Sequence, residues 1–168
     1  MYDILVKNGL IVDGSGNPWF SGDVAIKDGK VVKIGRNLEG AITTIDATGR
    51  IVSPGFIDAH THSDFNVLAD PNCVSTVHQG VTSQVVGNCG SSAAPLVGTD
   101  DATERRMAGF EGLFDADWES MGGYIDKVNK TGVSANVIPL VGFGTVRNIA
   151  MGPVERASTA DELLKMRA

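Results

Sequence analysis

The sequence predicts an α/β fold in two parts, a small β-rich part over residues 1–54 and a series of β/α units over residues 55–168. In the first part, short β-branched runs are separated by turns that contain glycine. From residue 55 onward, strand-like and helix-like segments alternate. Alternation of this kind is typical of βαβ units with a parallel sheet, whereas closely spaced short strands are typical of antiparallel structure.

The amino-terminal part is predicted to form a small antiparallel sheet or half of a β-sandwich. Residues 23–27 and 30–34 are two strand-like runs on either side of the dipeptide Asp28-Gly29. Asp-Gly between β-branched runs is a strong hairpin signal, because both turn positions need a positive φ. Further strand-like runs at residues 4–6, 10–12, 42–46 and 50–52 complete this part.

The second part is predicted to contain three parallel strands with helices between them. We expect strands at residues 56–60, 81–87 and 133–141. A helix capped by Asp70 and ended by Gly80 should follow the first strand, and a short helix is possible at residues 102–110. Apolar residues at helical spacing predict a further helix between Asp117 and Gly132, and they are Trp118, Met121, Ile125 and Val128.

Composition excludes several classes of protein. Of the 168 residues, 42% are hydrophobic, which suffices for a packed core. The formal net charge of −6 argues against nucleic acid or an anionic membrane as a partner. The first residues lead directly into strand-like sequence, so no signal peptide is expected, and no apolar run reaches the ~18 residues that a membrane span requires. Two cysteines, Cys73 and Cys89, are too few for a disulfide framework, so a reducing, cytoplasmic location is expected.

The most informative segment runs from Val52 to Asp64 and contains His60 and His62 at the end of the first parallel strand. Side chains alternate along a strand, so the two imidazoles should point to the same side. Imidazole is the commonest metal ligand, and two of them make half of a zinc site. Asp58 and Asp64 flank the pair and are candidates to orient it. Asp64 is an equally good candidate for a solvated loop residue.

The last residues also bear on the organisation of the protein. Thr159 and Glu162 form a capping-box pattern at the start of a helix, yet the sequence stops at Ala168. A closed β/α barrel needs roughly 250 residues. We therefore expect an incomplete barrel, the amino-terminal fragment of a longer protein.

The motif Pro54-Gly-Phe-Ile-Asp-Ala-His-Thr-His62, preceded by a β-rich segment, closely resembles the amidohydrolase superfamily. Within it, Val86-Gly-Asn-Cys-Gly90 and Leu140-Val-Gly-Phe-Gly-Thr-Val-Arg147 resemble the N-acyl-D-amino-acid deacylases, or D-aminoacylases. The resemblance implies that residues 1–54 belong to a small β domain and that residues 55–168 are the first three β/α units of a TIM-like, metal-dependent barrel.

The same resemblance implies a Zn²⁺ site with His60, His62 and Cys89 as ligands. The remaining histidine ligands and the catalytic aspartate of the family would lie beyond residue 168. Asn88 and Arg147 become candidates to support the ligands or to bind substrate, although a structural ion pair is the alternative for Arg147. Members of the family often have histidine where this sequence has Phe143, which can neither bind metal nor transfer a proton.

The functional hypothesis is a zinc-dependent hydrolase of the linear amide bond of N-acyl-D-amino acids, with a small molecule as its partner. Residues 1–168 alone are expected to be inactive, because the proton-transferring carboxylate would be missing. Two alternatives stay open. One is a cyclic-amide hydrolase similar to dihydroorotase or hydantoinase, and the other is a non-catalytic metal-binding fragment. Cys73 and His78 are expected to be structural residues of the first helix.

Overall fold

A computed structural model describes residues 1–97, 104, 105 and 107–167, which form two compact units, Met1–Pro54 and Gly55–Ala168. The acidic pair Asp100 and Asp101, and residues 102, 103 and 106 of the possible short helix, lie outside the described residues. Each helix within the described ranges is too short or too polar to cross a bilayer.

The first unit is a five-stranded sheet. Its strands are β1 (Tyr2–Ile11), β2 (Phe20–Lys27), β3 (Lys30–Gly35), β4 (Ala41–Asp46) and β5 (Ile51–Val52). The strand order is β3-β2-β1-β4, and β5 also pairs with β1. The pairs β1–β2 and β2–β3 are antiparallel as predicted, but β4 and β5 run parallel to β1. The predicted antiparallel pairing therefore holds for only part of the sheet, because the chain crosses over after β3 and enters on the far side of β1.

The predicted Asp-Gly hairpin is confirmed. Asp28 and Gly29 have φ values of 50° and 71°, and they connect the antiparallel strands β2 and β3. Two-residue hairpin turns whose twist matches that of the flanking strands need a positive φ at both positions.

A buried carboxylate organises the first unit. Asp23 is 4% exposed, and its two oxygens accept the backbone N–H groups of Asn8 and Leu38, each at 2.9 Å. Asn8 lies at a register shift of β1 with a φ of 63°, and Leu38 packs with Leu5 and Ala25 in the core. Burial raises the pKa of Asp23, but the backbone donors, together with the charge of Lys7, outweigh it and leave the pKa below its ordinary value.

The second unit alternates strands and helices. In order they are β6 (Phe56–Asp58), α1 (Asn66–Ala69), α2 (Val74–Val77), β7 (Val81–Val86), a 3-10 helix (Ala108–Phe110), α3 (Met121–Thr131), β8 (Asn136–Pro139), α4 (Phe143–Met151) and α5 (Ala160–Arg167). Strands β6, β7 and β8 are neighbours and all parallel, which confirms that part of the prediction.

Two predicted helices differ from those observed. The helix expected between Asp70 and Gly80 is shorter than predicted. Only α2 lies there, and it begins after Cys73, whose left-handed φ of 48° is not helical, whereas α1 ends before Asp70. Helix α3 begins after Ser120 rather than Asp117, since the Ser120 hydroxyl accepts the N–H of Gly123 at 3.1 Å. It ends at Gly132 as predicted, with a φ of 75°.

An aromatic cluster forms the core of the second unit. Its rings pack at centroid distances of 5.5 to 6.5 Å, and they belong to Phe65, Phe110, Phe114, Trp118 and Tyr124. Two polar atoms at its edge hold loops in place: the Trp118 indole N–H donates to the Ala93 carbonyl at 2.9 Å, and the Tyr124 hydroxyl donates to the Asp64 carbonyl at 2.7 Å. The core thereby fixes the segments that follow β6 and β7.

The predicted capping box at α5 is also confirmed. The Glu162 carboxylate accepts the Thr159 N–H at 2.8 Å, and the Thr159 hydroxyl accepts the Glu162 N–H at 3.3 Å. Arg156 donates two further hydrogen bonds to that carboxylate. Its guanidinium is the main reason why the pKa of Glu162 is lowered to about 2.

Substitution of Asp23 tests the buried carboxylate. Asp23→Ala should lower the free energy of unfolding by about 1–3 kcal/mol, because two buried amides lose their acceptor. Amide hydrogen exchange should show the loss of protection at Asn8 and Leu38 first. Since the pKa is lowered by folding, the difference from wild type should be complete above about pH 4 and shrink as the pH falls. Asp13→Ala, which alters an exposed turn, is the matched control and should leave both amides protected.

Candidate metal centre

Three side chains meet at the carboxyl-terminal edge of the parallel sheet. His60 and His62 follow β6, and Cys89 follows β7. Each offers one ligand atom, and these atoms lie within 4.8 Å of one another. His60 Nε2 is 3.2 Å from Cys89 Sγ. The cysteine therefore lies on the same side of the sheet as the histidines.

The donor set fits zinc. Two ligand atoms bound to one tetrahedral zinc ion are about 3.5 Å apart, given bonds of roughly 2.0–2.1 Å to nitrogen and 2.3 Å to sulfur. The His60–Cys89 pair is already close to that separation, so small rotations of the exposed side chains would bring all three donors to bonding distance. Two imidazoles and a thiolate are ligands that zinc prefers over the oxygen donors typical of magnesium and calcium.

The two histidines lie beyond their strand rather than within it, because β6 ends at Asp58. The Asp58 carboxylate accepts the backbone N–H of His60 at 3.2 Å. The backbone N–H of Thr61 then donates to the Val85 carbonyl of β7 at 3.1 Å. These bonds attach the histidine segment to β6 on one side and to β7 on the other. The rings of His60 and His62 meet edge to face, with centroids 5.6 Å apart.

Cys89 lies in a tight loop with a left-handed backbone. Its φ is 54° and that of Gly90 is 77°. Asn88, immediately before it, donates its side-chain amide to the carbonyls of Val85 at 2.8 Å and Thr61 at 3.1 Å. The Asn88 side chain thus connects the cysteine loop to the histidine segment. Because its amide group donates to two backbone carbonyls, Asn88 is a candidate to orient these segments rather than to contact a substrate.

The segment after β8 packs against the cysteine loop without intervening side chains. A methyl group added at Gly142 or Gly144 would lie 2.6 or 2.7 Å from the Gly90 carbonyl oxygen. The same oxygen accepts the N–H of Thr145 at 3.0 Å. Only glycine permits this approach of two backbones, and it brings the amino-terminal end of α4 to the site.

Other candidate residues lie outside the cluster. Asp64 is 1% exposed, so its interpretation as a solvated loop residue was wrong. The Arg147 guanidinium donates to the carbonyls of Val154 at 2.7 Å and Arg156 at 2.8 Å, and so holds the segment after α4. Cys73 is buried, which raises the pKa of its thiol, and His78 follows the last residue of α2.

Sequence reasoning missed two residues next to the site. Ser92 and Thr145 are 1% and 4% exposed, and the Thr145 Oγ1 accepts the Ser92 N–H at 2.9 Å. The only signal in the sequence is that the glycines of Gly142-Phe-Gly-Thr145 directly follow a strand, as Gly87 and Gly90 do after β7. Glycines after both strands suggest that the two loops approach closely, but they do not predict the hydrogen bond between Ser92 and Thr145.

Comparison with known proteins identifies the family of the chain. The amidohydrolase family matches residues 43–168. An N-acyl-D-aspartate deacylase and a D-aminoacylase from Alcaligenes xylosoxydans xylosoxydans are 36% and 33% identical to 99% of this chain. The crystal structure of an N-acyl-D-glutamate deacylase from Bordetella bronchiseptica, complexed with zinc and a phosphonate inhibitor, superposes with a TM-score of 0.86 at 33% identity over 99% of this chain. The chain spans about a third of the length of these relatives, 33%, 34% and 35% respectively.

The glycine contact yields a test with an internal control. Gly142→Ala should lower the free energy of unfolding by about 1–3 kcal/mol, because the new methyl group overlaps the Gly90 carbonyl. Gly122→Ala, in the first turn of α3, meets only an ordinary contact at 3.7 Å and should stabilise the protein by about 0.5–1 kcal/mol. Urea unfolding of both variants measures the contrast. Equal effects would mean that the two backbones do not meet as described.

Proposed function

Because this chain belongs to the amidohydrolase family, we propose that the protein is a zinc-dependent hydrolase that cleaves the linear amide bond of N-acyl-D-amino acids. The observation that carries the proposal is the convergence of His60, His62 and Cys89 within 4.8 Å. The similarity to deacylases over 99% of the chain supports this substrate class. The activity is proposed for the protein as its gene encodes it.

We also propose that the two compact units are parts of larger domains. Residues 1–54 would form part of a small β domain, and residues 55–168 would form the first β/α units of a TIM-like barrel. Three features support the second assignment: adjacent parallel strands, helices between them, and candidate ligands at the carboxyl-terminal strand edge, where barrel enzymes place their chemistry.

In this proposal, His60, His62 and Cys89 hold the zinc ion. When bound, zinc polarises an amide carbonyl and makes a coordinated water acidic enough to act as a nucleophile near neutral pH. His60 presents Nε2 to the cluster, so its ring must carry the proton on Nδ1. Cys89 must be in the thiolate form, since only the thiolate is a good ligand.

Two further residues are proposed to orient the ligands. Asp58 fixes the backbone of His60, and Asn88 fixes the backbone on both sides of the cluster through Thr61 and Val85. Such partners commonly contribute a factor of about 10–100 to metal affinity. We assign no substrate contact to Arg147 because its guanidinium is engaged by two backbone carbonyls.

Metal content and turnover of variants test the proposal. The purified protein should contain zinc and release free amino acid from N-acyl-D-amino acids faster than from their L enantiomers. His60→Ala and Cys89→Ser should lose zinc and lower kcat/KM by more than about 100-fold, since removing a ligand should cost at least as much as removing its partner. His78→Ala is the matched control, because it removes a histidine outside the cluster, and it should leave both quantities unchanged.

Three results would contradict the proposal. Turnover that survives both chelation and His60→Ala would exclude the zinc site as the catalytic centre. Hydrolysis of cyclic amides in place of linear ones would favour the cyclic-amide alternative. Zinc binding without turnover on either substrate class would favour a non-catalytic metal-binding protein.

A further inference from the structure

We propose that Thr145 is a positioning residue for the metal centre: its side chain locks the Cys89 loop in the conformation that aims the thiol at His60. This inference rests on the proposed metal site. Thr145 lies 56 positions beyond Cys89 in the sequence, and its contacts are with residues that follow the cysteine rather than with the thiol itself.

The Cys89 loop needs to be held from outside. Cys89 has a φ of 54°, a left-handed conformation that is uncommon for residues other than glycine, asparagine and aspartate. A residue in such a conformation persists only where the surrounding structure imposes it. Asn88 supplies that constraint on the amino-terminal side of the cysteine, through its bonds to Val85 and Thr61.

Thr145 supplies the constraint on the carboxyl-terminal side. Its backbone N–H donates to the Gly90 carbonyl at 3.0 Å, and its Oγ1 accepts the Ser92 N–H at 2.9 Å. The threonine is therefore hydrogen-bonded to the chain at two positions, one and three residues after the cysteine. A third hydrogen bond joins the same two segments, because the Ser92 hydroxyl accepts the N–H of Gly142 at 2.9 Å.

The hydrogen bond between the Thr145 side chain and the Ser92 amide is buried, so its loss should be costly. Thr145 and Ser92 are 4% and 1% exposed, so bulk water does not compete for the Ser92 amide. Valine has nearly the shape of threonine but lacks the acceptor, so Thr145→Val leaves a buried amide without the partner that it now has. Serine keeps the oxygen, so Thr145→Ser should preserve the bond. The backbone bond to Gly90 is present in all three proteins.

Cobalt binding to the protein as its gene encodes it distinguishes positioning from general packing. Co²⁺ replaces zinc in sites of this kind, and its thiolate bond gives a charge-transfer absorption in the near ultraviolet. Thr145→Val should weaken Co²⁺ affinity by about 10–100-fold and reduce that absorption per bound ion. Thr145→Ser should retain both. Because serine loses the methyl group but keeps the hydroxyl, a role in packing alone predicts the opposite order.

Cys89→Ser separates the two proposals. If Cys89→Ser abolishes the charge-transfer band while Thr145→Val keeps wild-type affinity and absorption, the positioning role of Thr145 is overturned and the metal site stands. If Cys89→Ser changes neither quantity, the metal site itself is wrong. Should Thr145→Val not fold, Thr145→Ala removes the same acceptor without placing a methyl group against the Ser92 amide. A loss of affinity and absorption then supports the proposal, and wild-type values overturn it.

Discussion

Parallel pairing of β6, β7 and β8 is the constraint on which the candidate site depends. In a parallel sheet the carboxyl ends of all strands meet at one edge, so the segments after β6, β7 and β8 become neighbours although the third lies more than fifty positions beyond the second. The register pairs Val86 with Pro139, the last residues of β7 and β8, and it pairs Asp58 with Gln84, so β6 ends two residues before the end of β7. The proximity of the three candidate metal ligands depends on this parallel pairing.

The loops at that edge are held from both sides. On one side, the aromatic cluster contacts them through the Trp118 and Tyr124 hydrogen bonds to the Ala93 and Asp64 carbonyls. On the other side, backbone meets backbone, because glycine at positions 142 and 144 removes the atoms that would keep the loops apart. A rigid support of this kind lets solvent-exposed ligand side chains keep a defined geometry, since their own backbone cannot move away.

Local patterns predicted the features that short stretches of sequence determine. The Asp28-Gly29 hairpin and the three parallel strands follow from turn chemistry and from the alternation of strands with helices. The meeting of Cys89 with His60 and His62 was expected from the family resemblance. Features that depend on distant contacts were missed. Cys73 has a left-handed backbone immediately before α2, which its residue type does not predict, and β4 runs parallel to β1 only because of where the chain crosses the sheet. The hydrogen bond between Ser92 and Thr145 joins residues 53 positions apart, so no local pattern encodes it.

The spacing of the site residues along the chain bears on the order in which the site assembles. The three candidate ligands fall within thirty consecutive positions, and the entropy of closing a loop rises with its length, so their meeting requires only β6, the short helices and β7. The Thr145 contact requires β8 and α4 as well. During synthesis, the imidazoles and the thiol thus emerge and can approach one another before the segment that carries Thr145 has left the ribosome. A metal ion captured at that stage would stabilise the early sheet and favour the pairing of the strand that follows.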